Sequence, residues 1–268
     1  MSVSGVSTKP KISDSVMEMF SMKGRVASVT GAGAGIGFAV AEGLAEAGAD
    51  VAIWYNSNDK ALQRAEDIAK RYGVRCKAYK CQITDAEAVS ATIEQIVADF
   101  GRIDAQIVNH GIPARGGLLE SSIEDWHRVI DTDFHGAMYV ARATGYVFQR
   151  QGSGSMVFTT SMSGHIVNTP RMQSSYNAAK AGLIHLAKSL AIEWKDFARV
   201  NCVSPGYIDT EIVSWVAKEQ KAIWHQLTPM GREGDPRELK GIYLYLASDA
   251  STFTTGADFI VDGGYTVL

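Results

Sequence analysis

A glycine-rich turn between an apolar strand and a helix constrains the fold more than any other stretch of the chain. The segment "RVASVT" (residues 25–30) is β-branched and apolar, which predicts a buried strand. It runs directly into "GAGAGIG", with Gly31, Gly35 and Gly37, and then into a stretch with helical apolar spacing. Glycines allow a sharp turn, and a helix N-terminus offers unpaired N–H groups to an anion. The order predicts a phosphate-binding loop, although a turn that only packs the helix on the sheet stays an alternative.

The alternation of strand and helix continues along the chain. We predict strands at residues 25–30, 50–55, 76–81, 103–108, 155–160, 199–204 and 258–262, with helices at 35–49, 59–73, 85–101, 122–150, 173–194 and 237–248. Strands that are apolar on both faces and separated by helices indicate an α/β fold with a doubly wound parallel sheet. No linker divides the chain, so we expect one domain over residues 23–268. Residues 1–22 are then an N-terminal arm, of which 16–20 dock on the body.

Composition excludes several classes of protein. The net charge is −3 and the pI about 6.1, with no basic stripe or polybasic cluster, so neither nucleic acid nor a membrane surface is an expected partner. The six histidines lack the spacing of metal ligands, and no metal is predicted. Cys76, Cys81 and Cys202 fit neither a disulfide framework nor a zinc site. We expect buried thiols in a reducing compartment, and therefore a cytoplasmic protein.

The end of the second strand indicates which dinucleotide would bind. Dinucleotide sites that take NAD(H) place an acid there to bind the ribose 2′-OH. Here Tyr55 is followed by Asn56, Ser57 and Asn58, and none of these is acidic. A carboxylate would repel a 2′-phosphate, whereas amides and hydroxyls can donate hydrogen bonds to it. We therefore predict NADP(H), and because no Arg or Lys occurs at this tip or at Ala34, we expect neutral donors to hold the phosphate.

Later segments add motifs that are weak alone and specific together. They are Asn109 in "VNHG", Ser161 in "TTSMSG", and Tyr176 and Lys180 in "SYNAAKAG". With the glycine turn they resemble the short-chain dehydrogenase/reductase family over about residues 23–268, which implies a Rossmann-type fold. The chain is similar to one branch of this family, the fungal NADPH-dependent sorbose reductases, mannitol 2-dehydrogenases and related carbonyl reductases. The similarity lies in the segments "ADVAIWYNS", "SMSGHIVNTP" and "PGYIDTEI".

The resemblance implies roles for four residues. Ser161 would polarise a carbonyl, and Tyr176 would donate a proton to it or remove one in the reverse direction. Lys180 would bind the nicotinamide ribose and favour the phenolate by its charge. The family's fourth catalytic position, usually Asn, falls on Asp133, whose carboxylate would favour a protonated Lys180.

The resemblance also implies contacts with the cofactor along one edge of the sheet. Those residues are Gly31, Gly35, Ile36, Gly37, Tyr55, Asn56, Ser57, Gln82, Ile83, Asn109, Gly111, Tyr176, Lys180, Pro205, Gly206, Ile208 and Thr210. His110 stands where the family usually has Ala; it either packs beside the cofactor or touches substrate. His165 and Asn168 either contact a polyol or only build their loop. The segment 214–232, with Trp215, Trp224 and Met230, is a lid, a subunit contact or core.

The implied activity is reversible reduction of a ketone to a secondary alcohol with NADPH. A carbonyl that receives a hydride develops alkoxide charge, and a Tyr–Lys pair with a serine can stabilise and protonate it. A ketose/alditol pair such as fructose/mannitol or sorbose/sorbitol is the first expectation. Hydrophobic or aryl ketones and β-ketoacyl substrates are the alternative. A non-enzymatic cofactor sensor is disfavoured because it would be expected to lose the Ser/Tyr/Lys set. The family also implies a homotetramer, packed through the helices predicted at 122–150 and 173–194.

Overall fold

A single parallel sheet organises the computed structural model, which describes residues 10, 12–211 and 216–267. Its seven strands are β1 Val26–Val29, β2 Asp50–Tyr55, β3 Cys76–Lys80, β4 Ala105–Val108, β5 Ser155–Thr159, β6 Arg199–Pro205 and β7 Asp258–Val261. All neighbouring pairs are parallel, in the order β3-β2-β1-β4-β5-β6-β7. The predicted α/β fold with a doubly wound sheet of seven strands is confirmed.

Helices cover both faces of this sheet. They are α1 Val16–Met19, α2 Gly35–Glu46, α3 Lys60–Tyr72, α4 Ala86–Phe100, α5 Ile123–Ile130, α6 Gly136–Gln151, α7 Ser174–Glu193, α8 Lys218–Leu227 and α9 Lys240–Ala247. One apolar layer joins the sheet to α2, α3 and α9 through residues such as Leu44, Ile68 and Leu246. The other joins it to α4, α6 and α7 through Ile93, Phe148 and Leu183. Apolar area buried on both faces explains why these strands have no polar side.

The N-terminal arm is described from residue 12 onward and at residue 10; residues 1–9 and 11 lie outside the described part, as does Trp215. The segment predicted to dock forms the short helix α1, which Ser15 caps through its side chain. Phe20 follows it and lies 6.5 Å from the ring of Tyr245 in α9. Met22 is fully buried, and its N–H donates to Ala47 at the end of α2. The arm is therefore tied to the body at its last residues.

One predicted helix is interrupted. The stretch predicted as helical over 122–150 contains α5, a π-helical turn at Asp131–His135 and then α6. A π-helical turn holds one more residue than an α-helical turn, so it rotates the side chains around it, and such turns are frequent at functional sites. Apolar periodicity gives no sign of it, because both flanking helices keep their own spacing. The turn points Asp133 into the protein, where it is completely buried.

The strand order places a crevice beside the glycine turn. The chain moves outward from β1 to β3 and then returns to the other side of β1 at β4. At such a reversal the loops after neighbouring strands diverge and leave a ligand-binding crevice at the carboxyl ends. Residues after β1, β2, β4, β5 and β6 therefore face a common space. Among the described residues, no helix is long and apolar enough to cross a membrane.

Candidate active site

A cleft of about 640 Å³ lies at the carboxyl ends of the strands. It gathers most of the residues that the sequence singled out. Its walls include Gly31, Gly35, Ile36, Tyr55, Asn56, Ser57, Ile83, Asn109, Gly111, Ser161, Tyr176, Lys180, Pro205, Gly206, Ile208 and Thr210. Three predicted residues are not in these walls. Gln82 is exposed and donates to Thr84, Gly37 lies beneath the turn, and Asp133 lies behind Lys180.

The glycine turn has the shape that a pyrophosphate requires. Gly31 has φ +65°, and a Cβ there would lie 2.9 Å from the Cα of His110. Gly35 has φ +55° and begins α2, whose N-terminus is capped by no side chain among the described residues. Unpaired N–H groups and the helix dipole at that end suit an anion. A Cβ on Gly37 would lie 2.4 Å from Asn109 Nδ2, so Gly37 allows α2 to pack closely. These residues fit a dinucleotide.

Asn109 links the ends of three strands under the cleft. Its backbone N–H donates to Thr30 Oγ1 at 2.9 Å, and its Nδ2 donates to the Thr30 carbonyl at 3.2 Å. Its Oδ1 accepts from Thr159 Oγ1 at 3.2 Å. Because these bonds join the ends of β1, β4 and β5, Asn109 fixes the floor on which the predicted cofactor would lie.

The tip of β2 lies against the glycine turn. Tyr55, Asn56 and Ser57 are in the cleft wall, and Asn58 Nδ2 donates to the Gly33 carbonyl at 3.0 Å. The tip itself carries no carboxylate, as the sequence predicted. Arg64 from α3 reaches the same Gly33 carbonyl, so a cationic side chain stands beside the neutral groups of the tip. Sequence reasoning missed Arg64 because it considered only residues next to the strand and in the turn.

Ser161 is distinguished from the neighbouring hydroxyls by its hydrogen bonds. Its Oγ accepts from the Ser163 N–H at 3.1 Å, which leaves the O–H for donation. Thr159 instead bonds with Asn109 and with Tyr243, whose hydroxyl is 2.6 Å away. Thr160 donates to the Val203 carbonyl at 2.9 Å, and Ser163 donates to Asn168 at 2.9 Å. All four residues line the cleft, but the hydroxyls of the three rivals are hydrogen-bonded to structural partners, whereas the Ser161 O–H is left for donation.

Tyr176 and Lys180 project from one face of the first turns of α7. Tyr176 is half-buried in the cleft wall, and Lys180 is 3% exposed. The Lys180 Nζ lies 5.4 Å from the centroid of the Tyr176 ring and donates to the Thr159 carbonyl at 3.3 Å. The i, i+4 spacing on a helix brings the two side chains together, and the strand–helix layout puts them beside Ser161.

Asp133 forms an ion pair with Lys180 from inside the protein. Its Oδ1 accepts from the Ile112 N–H at 2.8 Å, and its Oδ2 lies 3.4 Å from Lys180 Nζ. Burial raises the pKa of the Asp133 carboxyl, and the charge of Lys180 opposes that rise. Burial alone would lower the pKa of the Lys180 ammonium, but the Asp133 carboxylate, together with Tyr176 and Cys202, opposes burial, and the net shift of the pKa is upward. Lys180 is therefore protonated at neutral pH.

His110 lines the cleft as a neutral ring. Its Nδ1 lies 2.8 Å from Thr30 Oγ1, and its Nε2 is buried with no hydrogen-bond partner among the described residues. Burial, aided by the charge of Lys180, lowers the pKa of His110 to about 3. The ring thus contacts Thr30, lies close to Gly136 and carries no charge at neutral pH.

A buried polar network forms the wall beyond Ser161 and Tyr176. The Asn168 Oδ1 accepts from Ser163 Oγ at 2.9 Å and from Gln173 Nε2 at 3.2 Å. The Asn168 Nδ2 donates to the Tyr207 hydroxyl at 3.0 Å. Trp224 stacks on Tyr207 with ring centroids 4.0 Å apart, and its Nε1 is buried without a hydrogen-bond partner among the described residues. All five side chains line the cleft.

The structure gives the locations of several residues whose roles the sequence left open. Asn168 belongs to this polar wall, whereas His165 Nε2 lies 2.7 Å from Asp258 Oδ2 and ties its own loop to β7. Trp224 lines the cleft, and Met230 lies 69% exposed outside it. Sequence reasoning did not assign Gln173 or Tyr207; the only signal was their position beside the motifs that contain Tyr176 and Pro205.

The fold, the glycine turn and the Ser/Tyr/Lys set together define a dinucleotide-dependent oxidoreductase. A family model described as enoyl-(acyl carrier protein) reductase matches residues 31–266. The chain belongs to the short-chain dehydrogenase/reductase family, as predicted. It is 58% identical over 258 residues to a probable NADP-dependent mannitol dehydrogenase of Yarrowia lipolytica, covering 96% of this chain and 92% of that protein. It is 52% identical over 260 residues to a sorbose reductase of Candida albicans, with the same coverage of 96% and 92%.

A solved structure shows the same fold over the full chain. The crystal structure of the NADPH-dependent 3-quinuclidinone reductase from Rhodotorula rubra superposes with a TM-score of 0.93 at 46% identity. The match covers 97% of this chain and 98% of that one. Both sugar and non-sugar ketones thus appear in the names of similar proteins.

Proposed function

We propose that the protein is an NADP(H)-dependent reductase that interconverts a ketose and an alditol, with fructose/mannitol and sorbose/sorbitol as the first pairs to test. The observation that carries this choice is the polar wall beside Ser161 and Tyr176, formed by Ser163, Asn168 and Gln173. These buried amides and hydroxyls pair with one another, and their remaining donor and acceptor capacity can serve a chain of substrate hydroxyls, which a wholly apolar ketone does not have. The names of the similar mannitol dehydrogenase and sorbose reductase support the proposal.

The protein's part in the reaction is to position the substrate carbonyl and to protonate its oxygen. The nicotinamide supplies or accepts the hydride. The Ser161 hydroxyl donates a hydrogen bond to the carbonyl oxygen, and the Tyr176 hydroxyl donates the proton that completes the alcohol. Lys180, held positive by Asp133, stabilises the phenolate that remains. At about 4 Å and an effective dielectric of about 20 such an ammonium contributes roughly 4 kcal/mol. Asp133 acts only through Lys180, since it does not reach the cleft.

A second candidate, a reductase of hydrophobic or aryl ketones, has its own support. Ile112, Met162 and the face of Trp224 line the same cleft. The structurally similar quinuclidinone reductase acts, by its name, on a ketone that is not a sugar. Asn168 discriminates the two candidates because it is the centre of the polar wall and lies outside the Ser/Tyr/Lys set.

The test is a screen of NADPH oxidation with fructose, sorbose, xylulose and a set of aryl ketones, on the native protein and Asn168→Leu. A ketose reductase gives the highest kcat/KM with a ketose. Losing hydrogen bonds from one buried group costs such a substrate about 10- to 100-fold in the variant. Activity on aryl ketones should change less than threefold. Higher kcat/KM for aryl ketones in the native protein would favour the second candidate and contradict the proposal.

We also propose a homotetramer located in the cytoplasm. The apolar side chains of Tyr146 on α6 and Ile192 on α7 are 52% and 73% exposed in the single chain, which suits helices that pack against another copy. The three cysteines form no disulfide, which suits a reducing compartment. Light scattering coupled to size-exclusion chromatography should give four times the 28.9 kDa chain mass. The mass of one chain would contradict this assembly.

A further inference from the structure

Arg64 belongs to α3, nine positions beyond the tip of β2, and its guanidinium reaches the carbonyl of Gly33, a residue of the cleft wall. We infer that Arg64 binds the 2′-phosphate of NADP(H) and sets the preference for NADPH over NADH. This inference rests on NADP(H) use in the proposed function. The residue that determines the preference for NADPH would then lie in α3 and not at the β2 tip.

Two contacts hold the Arg64 side chain in place. Its Nη1 donates to the carbonyl of Gly33 in the glycine turn, the same oxygen that accepts from Asn58 Nδ2 at 3.0 Å. Its Cζ lies 4.6 Å from the centroid of the Phe38 ring in α2. A guanidinium stacked on a ring and fixed by a backbone acceptor is preorganised, so little rotamer freedom is lost when it takes a further partner.

The same guanidinium also faces an anionic group. Its Nη2 lies 3.6 Å from Oε1 of Glu211, a cleft-lining residue whose side chain is 64% exposed. Arg64 itself keeps 22% of its side-chain surface exposed. Gly33, Asn58 and Glu211, which all contact Arg64 or its acceptor, line the cleft. The Arg64 side chain thus contacts residues of the cleft wall and is partly exposed, and a phosphate bound there would compete with the Glu211 carboxylate for its Nη2.

Charge explains why a cation is needed there. The neutral donors of Asn56 and Ser57 can hydrogen-bond to a phosphate but do not offset its nearly two negative charges. A guanidinium has five N–H donors in a planar fork, so it can keep the Gly33 carbonyl and still bind a phosphate through other N–H groups. Amides and a hydroxyl from the β2 tip together with Arg64 from α3 then form a complete 2′-phosphate site.

A matched pair of variants tests the assignment. Arg64→Met keeps an apolar stem beside Phe38 and removes the charge. Arg71→Met is the control, because Arg71 is on the same helix, lies 5.2 Å from the Tyr72 ring centroid and faces Glu42 at 3.5 Å. Binding of 2′,5′-ADP and of 5′-ADP, measured by calorimetry, isolates the 2′-phosphate without any catalytic step.

For Arg64→Met we expect the Kd of 2′,5′-ADP to rise by about 10- to 100-fold, with the Kd of 5′-ADP within twofold of the native protein. For Arg64→Lys, which keeps the charge but lacks the guanidinium fork, we expect a Kd of 2′,5′-ADP between those of the native protein and Arg64→Met. Arg71→Met should change neither the Kd of 2′,5′-ADP nor that of 5′-ADP. An equal loss for both nucleotides, or no loss for either, would overturn the inference. Because no substrate is present, the result does not depend on which ketone the enzyme reduces.

Discussion

At the scale of single residues, the chemistry depends on a buried charge that the reactive pair does not itself supply. Tyr176 and Lys180 are recognisable from their spacing, but Lys180 is 3% exposed, and burial by itself favours its neutral form. The Asp133 carboxylate, 3.4 Å away, restores the charge. The family's usual Asn would offer only a dipole at this position, so the carboxylate stabilises the protonated form of Lys180 more strongly than that Asn would.

Asp133→Asn tests this dependence. The Asn side chain keeps an oxygen for the Ile112 N–H but loses the negative charge, so the main opposition to the effect of burial is removed and the pKa of Lys180 falls. Lys180 then loses its proton at lower pH. The alkaline limb of the kcat profile for ketone reduction should move toward neutral pH by about one to three units.

A second measurement separates this role from a structural one. If Asp133 served only to hold the Ile112 loop, the variant would keep the native pH profile, since Asn retains that hydrogen bond. An unmoved alkaline limb, with a changed kcat or not, would contradict the assigned role of Asp133.

At the scale of elements, strands were predictable and the details of helix geometry were not. Every strand begins and ends within two residues of its predicted limits, because a strand covered on both faces leaves a short apolar run. The π-helical turn that buries Asp133 has no periodic signal, and α8 lies in a stretch predicted only as a lid, subunit contact or core. Strand boundaries that are set by apolar burial can be predicted from the sequence. A local change of helical pitch depends on tertiary packing and cannot.

The turn between β1 and α2 gives a test at this scale. Gly24 and Gly31 flank β1, and both have positive φ, at 74° and 65°. A Cβ on Gly24 meets nothing within 4 Å, but a Cβ on Gly31 would lie 2.9 Å from the His110 backbone. Gly24→Ala should lower the free energy of unfolding by about 1 kcal/mol, the cost of a left-handed conformation for a non-glycine residue.

Gly31→Ala should lower the free energy of unfolding by about 1–3 kcal/mol more than Gly24→Ala does, because the turn must also move away from His110. It should also weaken NADPH binding, since that turn would hold the pyrophosphate. Urea unfolding and fluorescence titration with NADPH measure the two effects. Equal losses of stability in both variants would show that crowding against His110 does not matter.

At the scale of the whole molecule, the site is where separate parts of the chain converge. Motifs next to strand ends were predictable, because parallel strands bring their carboxyl ends to one edge. Arg64 and Tyr207 were not assigned, because the length and direction of each side chain bring it to its partner, the Gly33 carbonyl for Arg64 and Asn168 in the cleft wall for Tyr207. Gln82 follows β3 in sequence, but its side chain donates to Thr84 and lies outside the cleft walls.

The proposed reaction depends on Tyr176 as the proton donor to a ketone held beside bound NADPH. Tyr176→Phe removes only the hydroxyl, so the fold and the ion pair of Lys180 with Asp133 should remain. We predict that the variant binds NADPH with a Kd within twofold of the native protein. Its kcat for ketose reduction should fall by about 100- to 10,000-fold, the contribution typical of a general acid. Native turnover by Tyr176→Phe, with NADPH binding intact, would contradict the claim.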